Sequence, residues 1–128
     1  MNEDFVPYEL AVKLDEKGFN KETSHHYNDK GKICVSLVDE KYPYPCPTIP
    51  EVLKWLRDTH KLFVSPCIIT DYEDDFTIPH IVYWSYIVVN IESGDSIYRE
   101  YERVIEKRYE TYEQAALAGI EYVLDNLI

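Results

Sequence analysis

Apolar residues recur along this chain with two different periods, and the switch between them lays out the fold. From Val6 to Phe19 the period is helical: Leu10 and Leu14 stand four apart, and Val6 and Ala11 widen the stripe. This spacing predicts a helix from about Pro7 to Lys17. Pro7 suits its first turn, Gly18 supplies a left-handed stop, and Phe19 is placed to fold back on Leu14. The stretch from Ser24 to Val38 then reads as two short strands around the turn formers Asn28, Asp29, Lys30 and Gly31, with Ile33, Val35 and Leu37 on one face. Three alternating prolines, Pro43, Pro45 and Pro47, remove backbone donors and predict an extended connector. A second helix starts at Thr48, whose hydroxyl and the Glu51 carboxylate form a capping box. Ile49, Val52, Leu53 and Leu56 follow at helical spacing, and the end falls near His60 or Lys61.

From Leu62 the period falls to two. Leu62 to Thr70 reads as a strand that Pro66 confines to an edge or a bulge. An acidic loop over Asp71 to Pro79 leads to the strongest strand pattern, from about His80 to Ile91, whose partner runs from about Ser96 to Arg108 across a Ser93-Gly94-Asp95 loop. That loop sets Ile91 against Ile97, Ile87 against Tyr101 and Tyr83 against Ile105. A shift of two residues keeps these faces, whereas a shift of one inverts them. Thr111 and Gln114 form a second capping-box pattern ahead of a final helix with Ala116, Ile120, Val123, Leu124 and Leu127 on one side. The expected fold is a single α+β domain over residues 1–128, an antiparallel sheet of four to five strands with three helices.

Composition narrows the class of function. The chain has 128 residues, enough for one core, and a formal charge of −11 that repels nucleic acid and anionic membrane while favouring protein or cationic partners. Three cysteines without a Cys-x-x-Cys pair fit neither a disulfide framework nor a zinc ribbon. With an acidic N-terminal segment and no membrane-length apolar run, a cytoplasmic protein with reduced thiols is expected.

Few residues carry chemistry. His25, His26 and Cys34 are the most ligand-like group, yet adjacent strand residues point to opposite faces, so only one histidine can face Cys34. With no second ligand pair, no metal and no cofactor are expected. The carboxylates of Asp71, Glu73, Asp74 and Asp75 lack the glycine and terminal glutamate of an EF-hand loop. Cys34 and Cys67 lie in apolar strands as inert thiols, while Cys46, between prolines, is the expected exposed and reactive one. Glycines at 18, 31, 94 and 119 build no phosphate loop. Arg99, Arg103, Lys107 and Arg108 alternate with Glu100, Glu102, Glu106 and Glu110, a pattern of cross-strand ion pairs rather than a nucleic-acid surface. No catalytic residue is assigned.

One feature points to binding. The second face of the long hairpin carries Trp84, Tyr86, Val88, Tyr98 and Val104; if helices cover only the isoleucine face, these residues form an interaction surface, and otherwise they complete a two-sided core.

Three stretches resemble a group of short uncharacterised proteins of anaerobic gut bacteria and their phages: Val6 to Ala11 with Lys17 to Phe19, Pro47 to Arg57, and Thr111 to Ala115 with Ala118 to Glu121. The resemblance implies a phage or mobile-element setting and transfers no catalytic residue. The Pro43 to Cys46 segment and the acidic loop depart from that group's pattern. The leading expectation is a non-catalytic accessory protein that binds another protein or itself, as a homodimer, through the aromatic hairpin face. Two alternatives are an acidic nucleic-acid mimic that inhibits a DNA-binding enzyme and a small metal-dependent enzyme using His25 or His26 with Cys34 or the acidic loop.

Overall fold

The computed structural model describes residues 4–35, 43–72, 79–99 and 109–128. Helix α1 spans Tyr8–Glu16 and stops as its sequence predicts. Gly18 adopts φ 88°, and the Phe19 amide donates to the Leu14 carbonyl at 2.9 Å, closing a Schellman turn. Strands β1 (His25–Tyr27) and β2 (Ile33–Val35) form the expected small hairpin, in which the Asn28 side-chain oxygen accepts from the amides of Lys30 and Lys32.

The proline segment does more than connect. Tyr44–Pro45 forms β3 and pairs with β1, giving a sheet of order β2-β1-β3. Proline is tolerated there because β3 is an edge strand. Helix α2 (Ile49–His60) opens on the predicted capping box: Glu51 donates its amide to the Thr48 hydroxyl, and its carboxylate accepts from the Thr48 amide at 3.0 Å. An antiparallel bridge between Phe5 and Thr48, with the Val6 amide on the Pro47 carbonyl at 3.1 Å, ties the start of α1 to that cap.

Strands β4 (Leu62–Tyr72), β5 (Pro79–Asn90) and β6 (Ser96–Arg99) form a second antiparallel sheet of order β4-β5-β6. Three helices and an α+β class are therefore as expected, but among the described residues the strands divide into two three-stranded sheets instead of one of four or five. The reason lies in β3: its pairing with β1 occupies the first sheet's edge before α2 carries the chain away to start the second.

Helix α3 (Tyr112–Asn126) lies across β4 and β5. Thr111 caps the Gln114 amide at 3.1 Å, but the Gln114 carbonyl oxygen reaches back to the Glu110 amide, one residue beyond the position a capping box uses. Ala115, Ala116, Ile120, Val123 and Leu124 are all fully buried. At Gly119 helix and sheet approach closely, for a Cβ there would stand 2.5 Å from Cγ1 of Val64 and 3.1 Å from the Tyr86 ring. One core joins α1, α2 and α3 to the helix-facing side of the second sheet, through Leu14, Leu56, Val64, Val88 and Leu124 among others.

The hairpin register differs from the expected one by two residues. Ile87 lies opposite Arg99 and Val88 opposite Tyr98, and a bulge then sets Val89 against Ser96. Ile91 consequently falls in the loop instead of opposite Ile97. The cause is Asn90, whose side-chain oxygen accepts from the amides of Glu92 and Ser93, starting the turn two residues early. Gly94 at φ 76° completes it. The expected pairs of Ile87 with Tyr101 and Tyr83 with Ile105 involve residues outside the described ones. Trp84 pairs with Tyr109 in an isolated bridge.

Candidate functional site

Strand alternation decides which hairpin face is free. Leu62, Val64, Tyr86 and Val88 point towards the helices and are buried, Tyr86 at 2% exposure and Val88 at 0%. Tyr86 and Val88 are therefore core residues beneath α3 and not part of an exposed surface, whereas Ile68, opposite Trp84 farther along the same face, is 54% exposed. Trp84 on the same face is only half-buried, and its ring meets the exposed Tyr112 edge-on at 5.6 Å. Tyr98 lies in β6 opposite Val88. Val104 lies outside the described residues, as do Arg103, Lys107 and Arg108.

The isoleucine face is uncovered only towards the loop; at its other end Tyr83, 6% exposed, and Ser85 are buried. Phe63 stands opposite Val89, Ser65 opposite Ile87 and Cys67 opposite Ser85, all turned away from α2 and α3. Near the loop end this face is open: Phe63 is 38% exposed and Ile97 39%, with Ile91 at 46% beside them in the loop. Exposed Glu92 and Asp95 border that end.

The outer edge of β4 is protected from further pairing. Trp84 exchanges both backbone bonds with Tyr109, at 2.8 and 3.1 Å, so its polar groups turn away from β4. Alternation turns those of Tyr86 the same way, which leaves Pro66, opposite Tyr86, presenting its missing donor on the outer edge.

Deeper on the open face, Ser85 is fully buried and its hydroxyl has no hydrogen-bond partner among the described residues. An unpaired buried hydroxyl costs stability. Ser85→Ala should accordingly raise the stability by about 1 kcal/mol in urea titration; a loss of that size would show that the hydroxyl is satisfied.

The metal candidates are only partly assembled. His26 lies opposite Cys34 in the β1–β2 register, whereas the His25 ring packs on Phe5 with centroids 4.4 Å apart. Among the described residues no group of three or more His, Cys, Asp or Glu side chains is placed to hold a metal. Asp71 lies in β4, one residue before its end, and Glu73, Asp74 and Asp75 lie outside the described residues.

Cys46 is not the exposed thiol expected of it. It is 1% exposed, with Sγ 3.7 Å from the Val6 carbonyl oxygen that the Tyr27 hydroxyl also donates to at 2.7 Å. The prolines flanking Cys46 are themselves buried, so the segment runs inside the protein and not over it. Burial pushes the thiols of Cys46 and Cys67 up, which lowers their thiolate content and their reactivity. No helix among the described residues is long and apolar enough to cross a membrane.

Hydropathy alternation had located both faces of the hairpin, but only the position of α3 reveals which one is open. Comparisons with protein-family models, with curated proteins and with solved structures find no match for this chain.

Proposed function

We propose that this chain is a non-catalytic interaction protein, of the phage or mobile-element accessory kind that its sequence resembles, and that it binds a basic partner protein on the open face of the second sheet. The observation that carries this reading is the exposure of Phe63, Ile91 and Ile97 together at the loop end of that face. A single exposed apolar side chain is ordinary, but three beside one another make a patch of the kind that interfaces use. Glu92 and Asp95 at its margin and the formal charge of −11 select the partner's chemistry: an apolar surface rimmed by lysine and arginine. A second copy brings the same negative charge and is repelled, so self-association is the less favoured occupant.

A synthetic amphipathic helix of leucine and lysine tests the reading. It should bind the native chain, weaken as salt rises, and lose about tenfold in affinity to the Phe63→Ser/Ile97→Ser double variant. Equal affinity for both proteins would overturn the proposed face. Light scattering that shows a dimer in the native chain and a monomer in the double variant would replace the basic partner by a second copy.

A further inference from the structure

On the opposite side of the second sheet, away from the patch, a cleft of about 340 Å³ opens between α3 and the Tyr109 segment. We propose that this cleft binds an alkylammonium group. Tyr86 forms its base, with Tyr109 and Tyr122 half-buried beside it at ring-centroid distances of 6.2 and 6.4 Å. The rings of Tyr109 and Tyr122 tilt by 42° and 46° to that of Tyr86. Aromatic faces attract cations through their quadrupole, and weakly hydrated alkylammonium groups lose little on leaving water. Ala118, one turn before Tyr122 on α3, keeps the space clear.

The charge of the cleft points the same way. Glu121 and Asp125, one helical turn apart, line it on either side of Tyr122 in sequence. The chain itself shows that this pair draws an ammonium: Lys13 Nζ from α1 sits 3.0 Å from Asp125 Oδ1 and 3.7 Å from Glu121 Oε1. Its hydrogen bond to Asp125 raises the Lys13 pKa, with further help from the charge of Glu121. Two carboxylates against one lysine leave one negative charge, which matches a monocation. The same charge, with −11 on the whole chain, disfavours an anion. This inference uses residues other than those of the sheet patch and stands or falls separately from it.

Titration of the native chain with tetramethylammonium, followed by NMR, tests the proposal against neopentyl alcohol, its neutral counterpart in shape. The ammonium should move the Tyr109 and Tyr122 ring signals saturably, and the alcohol should bind about tenfold more weakly. Tyr122→Leu and Glu121→Gln should each weaken binding about fivefold; Glu121 is exposed, so its variant folds normally. Lys13→Met removes the internal competitor and should tighten binding about threefold, a direction that a purely structural role for Lys13 does not produce. The source of the group is read by comparing butyltrimethylammonium with a trimethyllysine peptide: tighter peptide binding assigns it to a partner's side chain, equal binding to a free amine. Equal binding of ammonium and alcohol, or an unchanged affinity in Glu121→Gln, would overturn the proposal.

Discussion

Gly119→Ala is expected to destabilise the protein by about 2 kcal/mol, although alanine is the better helix former by about 1 kcal/mol. The sign turns on a single contact. The added methyl would arrive 2.5 Å from Cγ1 of Val64 and 3.1 Å from the Tyr86 ring. Neither neighbour can yield cheaply, because Val64 is a β-branched residue in a buried strand position and Tyr86 is buried beneath α3. Overpacking of this kind costs about 1–3 kcal/mol or more, which outweighs the gain in helix propensity. Thermal unfolding should fall by roughly 6–10 °C for a domain of this size. The contact itself is isolated by pairing the change with Val64→Ala. That second substitution alone opens a cavity, but in the Gly119→Ala background it makes room, so the two costs should sum to more than the double variant shows. A Gly119→Ala protein more stable than the native one would mean that α3 does not sit this close to the sheet.

Tyr86→Ser is the second large effect, an expected loss of about 3–5 kcal/mol, as for other buried aromatic truncations. Tyr86 packs under Gly119 and contacts the rings of Tyr109 and Tyr122, so removing it opens a void below α3 and takes the base from the proposed ammonium cleft. Against a total stability of about 5–15 kcal/mol, such a loss leaves part of the population unfolded. The same replacement at Phe63, which is 38% exposed on the open face, should change stability by less than about 1 kcal/mol. Denaturant titration of both variants therefore separates the core face of the sheet from the proposed binding face. If Tyr86→Ser folds with native stability and only its assembly changes, the roles assigned to the two faces are reversed.

Which face of the hairpin is buried is not legible in the sequence. Period-two alternation in β5 marks two faces, one with Trp84, Tyr86 and Val88, the other with Tyr83, Ile87 and Val89. Both are apolar enough for a core, so the choice depends on where a helix docks. Gly119 carries the only local hint: a glycine inside a strong helical pattern marks a close approach, and the surface approached is Val64 and Tyr86. Cys46 departs from its expected exposure for a related reason. Alternating prolines suggest a solvated connector, but the pairing of Tyr44–Pro45 with β1 and the Val6 bond to Pro47 draw the segment inward.

Local chemistry by itself determined the ends of the helices. The Gly18 stop, the Thr48 capping box and the Thr111 cap each depend on groups within a few residues, so the chain writes them directly. It determined the β1–β2 hairpin for the same reason, and the register of the second hairpin to within two residues, because alternation fixes only the parity of the pairing. Only the tertiary structure decided that the strands form two sheets, that α3 covers Tyr86 and leaves Phe63 and Ile97 open, and that Lys13 meets Glu121 and Asp125 across more than a hundred residues of chain. These are long-range contacts between surfaces of similar hydropathy, and packing, not pattern, selects among them.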